Sequence, residues 1–341
     1  MQRSGRVFKA VISIAMPVIG SLLVGSIIIL ATGNNPITTY INILETGFTC
    51  RSASNQCALT ATVQFATPLI LTGLSATVAL WANFITLGQA GQMMLGAAAA
   101  TWAASNVNLP APYLPIAALC AGALAGAIWG FFPALLREFL GMNEIITTLL
   151  FNPLAIFLLG FVRLRKFTEQ ARLLPIIPRT KITVSIILAV TLAWLVYLLL
   201  WKTKTGFSIR NSAQSPRFSQ YGGIKRHLPI LAALLISGGL AGLAGAVEVL
   251  GVHYKYVGEF TAVNNFDGLI IAIAGQLHPL GVLLFAFLVG GLRNGAITGL
   301  QIRSGIPREL GGALIALMLI FAAMHKYQRQ NGGKNGRKAK Q

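Results

Sequence analysis

Long apolar runs separated by short polar segments fill the chain from Phe8 to Met324. A helix of roughly 20 apolar residues crosses a hydrocarbon layer ~30 Å thick, and runs of that kind recur along nearly the whole sequence. They predict about ten helical crossings, near Phe8–Ala31, Thr62–Phe84, Ile85–Ala104, Tyr113–Leu136, Ile145–Val162, Thr183–Trp201, Leu228–Leu250, Val263–Ala274, Leu280–Thr298 and Gly311–Met324. The eighth is too short to span unaided. It reads as a half-helix, tolerable at membrane depth only where protein or a water-filled cavity meets its free backbone groups. Gly238, Gly239, Gly242 and Gly245 recur at three- and four-residue spacing, so they share one helix face that lets a neighbouring helix come close. The predicted fold class is an all-α, polytopic membrane helix bundle. Residues 1–326 are expected to form a single transmembrane domain and 327–341 a basic, disordered cytosolic tail.

Composition agrees with the pattern. With 55% hydrophobic and 10% charged residues in a chain of 341, and mean hydropathy +0.70, the apolar surface exceeds what one soluble core can hide. Lipid must serve as solvent. Basic residues in short loops stay on the cytosolic side. Arg3, Arg6 and Lys9 precede the first run, and Lys326, Arg329, Lys334, Arg337, Lys338 and Lys340 follow the last. An even number of crossings then puts both ends in the cytosol, together with Lys202, Lys204, Arg210, Arg217, Lys225 and Arg226. The same count puts residues 163–181 outside, although Arg163, Arg165, Lys166, Arg172, Arg179 and Lys181 make that loop equally basic. Charge alone does not separate the two loops, so the termini decide. The net charge of +19 is accounted for by loop residues meeting anionic headgroups, and no nucleic-acid partner is expected.

Cys50 and Cys57 fall in the first external loop, Thr32–Ala61, with six residues between them. They could form a disulfide in an oxidising compartment or stand as two thiols. No metal site is expected: no histidine lies near them, and His227, His253, His278 and His325 lack ligand spacing. The N-terminal run is too long for a secretory signal peptide. No phosphate-cradling GxxxxGK[ST] loop, GxSxG elbow or HExxH pair occurs, so neither ATP hydrolysis on this chain nor intramembrane hydrolysis is expected.

Only eight acidic residues are present, which gives their positions weight. A charge at the bilayer centre costs at least ~2.5 kcal/mol, so a retained one is a functional candidate. Glu144 and Glu248 lie at or within apolar runs. They serve either the pathway or a helix end, where they would cap or pair with a basic neighbour. Asp267, the only aspartate, opens the short eighth run after Asn264, Asn265 and Phe266, a pattern that suits a helix start.

Three stretches together resemble permease subunits of ATP-binding-cassette importers for nucleosides and simple sugars, relatives of branched-chain amino-acid permeases. In LGQAGQMMLGA, Gly88, Gly91, Gln92 and Gly96 match, while Thr86 and Ala90 depart from the family's usual Asn and Glu. In MNEIITTLLFN, Asn143, Glu144, Thr147, Leu149 and Asn152 match. In NNFDGLIIAIAGQLHPLG and the run after it, Phe266, Asp267, Gly268, Pro279, Gly281 and Arg293 match. A fourth stretch, TGFSIRNSAQSPRFSQYGGI from Thr205 to Ile224, is similar to the family's cytosolic coupling helix. Gly206, Arg210, Pro216, Tyr221, Gly223 and Ile224 match, and Ala213 and Gln214 replace the usual glycine and acid.

The resemblance implies a pore-forming subunit rather than an enzyme, in the inner membrane of a bacterial or archaeal cell. Alternating access would be driven by a cytosolic ATPase subunit that uses ATP and Mg, so this chain itself binds no cofactor. A second, non-identical permease and an extracytoplasmic binding protein or lipoprotein complete the implied assembly. Gln89, Gln92, Asn152 and Asp267 are the expected pathway residues, since amides and carboxylates hydrogen-bond hydroxyls or base edges. Asn143, Glu144, Glu248 and Phe266 are further candidates. Phe84, Phe151 and Phe266 read as packing more readily than as stacking platforms. The missing Glu at Ala90 leaves nucleosides, simple sugars and flavins open as cargo. An ion-gradient transporter working through Glu144, Glu248 or Asp267 is the alternative, though no inverted repeat is evident. A channel-like protein would leave Thr205–Ile224 without a role.

Overall fold

The structure is a computed structural model, and it describes residues 20, 23–50, 57–111, 113–162, 167, 169–176, 182–224, 227–256 and 266–303. Among these residues the secondary structure is helical, with one isolated antiparallel bridge between Pro175 and Thr183. The helices are α1 (Pro36–Phe48), α2 (Ala58–Trp81), α3 (Gln89–Asn106), α4 (Leu114–Leu140), α5 (Glu144–Gly160), α6 (Ser185–Lys202), α7 (Lys204–Gln214), α8 (Pro216–Tyr221), α9 (His227–Glu248), α10 (Asp267–Ala274) and α11 (Pro279–Gly295). Wider helical turns extend α9 over Val249–His253 and follow α11 over Ala296–Arg303. Among the described residues five helical stretches are long and apolar enough to cross a membrane: Ala58–Trp81, Leu114–Leu140, Ser185–Lys202, His227–His253 and Pro279–Gly299.

Several expectations change. The loop expected over Thr32–Ala61 contains α1, whose start is fixed by Asn35 Oδ1 accepting from Ile37 N–H at 3.0 Å and by Pro36 in the first turn. The run expected to start at Ile85 becomes helical only at Gln89. It is also absent from the helices apolar enough to cross a membrane, and most of its residues are buried within the protein. The single helix expected over Thr205–Ile224 is two, α7 and α8. Ser215 is pushed to φ −142°, ψ 75° as the residue before Pro216, where the proline ring disfavours helical geometry. The eighth run is short, as expected: α10 has 8 residues. The crossing at Gly311–Met324, most of that at Phe8–Ala31, the tail 327–341, Asn264, Asn265, Lys225, Arg226, and Arg163, Arg165, Lys166, Thr168, Arg179 and Lys181 lie outside the described residues.

Two compact units emerge, residues 1–62 with 289–341 and residues 63–288. In the first, Ile29, Ile43 and Ala296 form a small core with Tyr40 and Leu292. Asn294 is buried there, and its Nδ2 donates to the carbonyls of Thr46 (3.1 Å) and Ala58 (3.0 Å).

The second unit is built on α3, α4 and α9, which pack on one another along their lengths. Glycine makes this possible. A Cβ on Gly242 would meet the Gly122 carbonyl and come within 2.8 Å of Gly126 Cα, and one on Gly245 would meet the Met93 carbonyl. Gly238 faces the Gly126 carbonyl in the same way, whereas Gly239 has room, its nearest neighbour being 3.5 Å away. Three of the four glycines singled out in the sequence therefore lie in backbone-to-backbone contact, the arrangement that lets membrane helices gain dispersion energy without a hydrophobic drive.

One end of this unit gathers chain reversals. Trp81 at the end of α2, Trp201 near the end of α6, the α4–α5 connection, α7, α8, the start of α9 and the α10–α11 turn meet there. At the other end of α9, Leu173 N–H donates to the Leu250 carbonyl at 3.1 Å and the Arg172 guanidinium lies over Tyr254. Arg172 and Leu173 of the basic loop thus pack at the end of α9 opposite the α7–α8 pair.

Candidate functional site

Three of the residues expected to line the pathway, Gln89, Gln92 and Asn152, meet at the start of α3. A helix leaves its first N–H groups without intrahelical partners, and Gly88 at this N-cap offers no side chain to meet them. α5 supplies what is missing. Asn152 Oδ1 accepts from Gly91 N–H at 2.9 Å, its Nδ2 donates to the Leu87 carbonyl at 2.7 Å, and Thr148 Oγ1 accepts from Leu87 N–H at 3.1 Å. Thr148 and Asn152 are four apart, so they share one helix face and clamp residues 87–91 as a pair. Asn143 caps the same α5, its Oδ1 accepting from Ile145 N–H at 2.9 Å.

Gln89 is fully buried, and its Nε2 donates to the Thr72 carbonyl (2.9 Å) and Ser75 Oγ (3.3 Å). Ser75 in turn bonds Ser237 of α9 at 3.0 Å. Among the described residues no hydrogen-bond partner meets Oε1 of Gln89, Oε1 of Gln92 or Nε1 of Trp129, all of them buried. A buried polar atom left unmet costs roughly 1–3 kcal/mol, so three of them along the start of α3 mark a strip whose chemistry suits a polar solute. Trp129 also leans on Phe151, with ring centroids 5.1 Å apart.

α10 approaches this strip through Gly268. A Cβ there would come within 2.7 Å of Gln89 Oε1 and 2.8 Å of the Thr72 backbone. Asp267, half-buried, is the first residue of α10, where a carboxylate favours the positive end of the helix dipole. Phe266 beside it is 48% exposed. The other acids stand elsewhere. Glu144 opens α5 and lies 3.6 Å from Arg137 Nε, and Glu248 lies 3.8 Å from His253 Nε2 at the far end of α9. Cys50 and Cys57 are paired as a disulfide with Cα atoms 4.6 Å apart. No group of three metal-ligating side chains occurs among the described residues.

The α7–α8 pair sits against the same unit. Thr203 caps α7, its Oγ1 accepting from Gly206 N–H at 3.1 Å. Gly206 lies against α6 so closely that a Cβ would meet the Leu199 carbonyl and come within 2.6 Å of Leu200 Cα, which explains why glycine stands there. Arg210 turns inward, its guanidinium carbon 5.5 Å from the Trp201 ring centroid and 5.9 Å from that of Trp81. Outward-facing residues include Phe207, 55% exposed, and Tyr221, 93% exposed. Gly223 follows with φ +78°, a left-handed conformation that ends the pair before Ile224. Pro216 starts α8.

The sequence reading did not single out Trp81, Trp129, Thr148 or Trp201. For the tryptophans a signal was available: they sit near run ends or beside glycines, and a large ring with a donor is rarely idle when buried. Thr148 was readable only as four residues from Asn152. Arg137 was missed as well. It donates from Nη1 to the Asn83 carbonyl at 2.9 Å and covers Phe84, tying the α2–α3 turn to α4.

Comparison with known proteins supplies the family. The chain is 34% identical over 280 residues to a guanosine ABC transporter permease of Bacillus subtilis, covering 77% of this chain and 80% of the relative. It is 28% identical over 339 residues to a nucleoside ABC transporter permease of Lactococcus lactis (93% and 91% covered). It is 29% identical over 330 residues to a glucose ABC transporter permease of Haloferax volcanii (90% and 85% covered). Residues 57–323 match the family described as branched-chain amino acid transport system / permease component, and a match of that extent over a multi-pass helical chain makes this protein a member of that permease family.

Proposed function

We propose that this chain is the transmembrane subunit of an ATP-binding-cassette importer and forms half of the pathway for a nucleoside. The observation that carries the reading is the likeness, over most of the chain, to a guanosine and a nucleoside permease of such transporters. The strip of Gln89, Gln92 and Trp129 offers two amide carbonyls and one indole donor, groups that suit the donor and acceptor edge of a base and the hydroxyls of a ribose. Glucose is the second reading, favoured by the glucose permease among the relatives. An ion-gradient mechanism loses ground. Of its candidate acids, Glu144 and Glu248 lie near basic partners at helix ends, away from the strip.

In this reading α7 and α8 dock on a cytosolic ATPase that uses ATP and Mg, presenting Phe207 and Tyr221. A second permease and an extracytoplasmic binding protein complete the assembly. With α7 and α8 in the cytosol, the loop at 169–176 lies outside; the charge pattern puts both termini inside, which suits the about ten crossings expected from run length. Cargo moves inward only if its affinity for the pathway differs between the outward and inward states.

The test is uptake of labelled guanosine by membrane vesicles carrying the complete transporter, with ATP inside and the binding protein outside. ATP-dependent uptake suppressed by unlabelled nucleosides but not by glucose is the expected result. Uptake of labelled glucose with none of labelled guanosine would establish the second reading. Uptake that follows an ion gradient without ATP would overturn both.

A further inference from the structure

A half-buried group of rings lies between α7 and α10, and its contacts form one continuous line. Arg210 of α7 places its guanidinium over Trp201 and Trp81, and its Nε is buried without a hydrogen-bond partner among the described residues. The guanidinium is always charged and planar, so its hold on α6 and α2 comes through the ring faces. Trp81 and Trp201 meet edge to face, centroids 5.9 Å apart at 84°. Trp201 stacks on Tyr197 at 5.4 Å and stands 5.1 Å from His278.

The line continues into the backbone. Trp81 Nε1 donates to the Leu277 carbonyl at 2.9 Å. Gln276 and Leu277 both take left-handed conformations, φ +58° and +57°, in the turn that ends α10. Side chains other than glycine rarely hold that conformation, and two in succession persist only where their surroundings fix them. The indole of Trp81 is one such fixture. Eight residues of helix rise ~12 Å, so a turn held at Gly275–His278 also sets where Gly268 meets Thr72 and Gln89.

We propose that Trp81 and Trp201 are positioning residues that couple α7 to α10, so that movement of the docking helix is delivered to the end of α10 that touches Gln89. This rests on the reading of α7 and α8 as the ATPase dock. The arrangement gives Arg210 an inward role, gripping the rings, and leaves direct contact with the ATPase to Phe207 and Tyr221. It also gives the short α10 a reason to be short: a brief rigid helix with both ends held transmits a displacement that a long helix embedded in lipid would spread among its neighbours. A bistable element biased from both ends is what coupling between two sites requires.

The experiment reads α10 without needing the cargo. A single cysteine replaces Phe266 (Phe266→Cys) in a chain lacking the three native cysteines, and the complex is assembled with its ATPase, second permease and binding protein. Maleimide labelling rates are compared with and without ATP plus vanadate. The expected result is a nucleotide-dependent change of about fivefold or more. That change shrinks to within about twofold in Trp81→Phe, which keeps a ring and loses the donor, and in Trp201→Leu, while the ATPase still co-purifies and hydrolyses ATP at its basal rate.

A purely structural role for these residues would lower the yield of complex and leave the nucleotide response of the surviving molecules intact, which overturns the proposal. So would loss of the ATPase from the two variants, since the residues would then serve docking. Failure of the unsubstituted reporter chain to recruit an ATPase would instead overturn the dock itself, and the relay with it. Trp201→Phe and Arg210→Lys serve where Trp201→Leu does not fold. Each keeps part of the contact, and a full nucleotide response in both of them and in Trp81→Phe refutes the relay.

Discussion

Replacing Asn152 with leucine tests how the start of α3 is held. The side chain is 6% exposed and makes two bonds to backbone, accepting from Gly91 N–H and donating to the Leu87 carbonyl. Leucine keeps the branched outline of asparagine with bulkier methyl groups in place of the amide, so the perturbation is chiefly the loss of hydrogen bonding. It leaves a helix-start donor and a turn carbonyl buried without partners. Each such group costs about 1–3 kcal/mol, which gives about 2–6 kcal/mol for the pair. Polar contacts inside membranes average nearer ~0.6 kcal/mol because the unfolded reference also finds partners, so the lower half of that range, about 3 kcal/mol, is the expected loss. Asn152→Asp keeps the acceptor for Gly91 and sets a carboxylate against the Leu87 carbonyl, so it should not rescue. Thr148→Val removes the third bond of the clamp and should cost about 1–2 kcal/mol. Equilibrium unfolding in mixed micelles, followed by far-ultraviolet circular dichroism, measures all three. A loss under about 0.5 kcal/mol for Asn152→Leu would refute the clamp and free the amide for contact with cargo.

Three further outcomes follow from the geometry. Gly242→Leu places a side chain where the Gly122 carbonyl and Gly126 stand, and rigid backbone on both sides makes a loss of about 3 kcal/mol or more the expectation. Gly239→Ala, whose added Cβ would make only an ordinary contact at 3.5 Å, should stay within about 0.5 kcal/mol of the parent; equal behaviour of the two in size-exclusion yield would show that α3, α4 and α9 do not pack this way. Protein prepared from the membrane and denatured without reductant should offer maleimide one thiol, Cys120, and three after reduction; three at once would exclude the Cys50–Cys57 bond. A cysteine at Gln170, in a chain lacking the native three, should label from outside intact cells; labelling only after permeabilisation would place that loop in the cytosol and break the ten-crossing count.

Much of this protein was legible because lipid imposes simple rules. Apolar run length predicted α4, α6, α9 and α11 to within a few residues, since a helix that must satisfy all its backbone bonds within a hydrocarbon layer has little freedom in length. The shortness of α10 and the contact face of Gly238, Gly242 and Gly245 were visible for the same reason. α1 escaped because a short amphipathic helix outside the apolar runs carries no length signal. The break at Ser215 was signalled by Pro216, whose ring keeps the preceding residue out of helical geometry. Among the candidate site residues, Gln89, Gln92 and Asn152 were singled out as residue types, but their partners were not. Asn152 reaches Gly91 and Leu87 across more than sixty positions of sequence, and no local pattern encodes such a pairing.

The sequence alone determined that this chain lives in a membrane, that it is helical, that it belongs with importer permeases and that a basic interruption separates two of its apolar runs. Each follows from composition, period or motif, quantities that add along the chain. Which face of α7 is buried was decided only by tertiary structure, and with it Arg210's inward turn onto Trp201 and Trp81. So were the tie from Trp81 to Leu277 and the burial of three unmet polar atoms at the start of α3. These depend on helices distant in sequence arriving at the same place. The glycine faces that permit that approach are local, and the partners they meet are not.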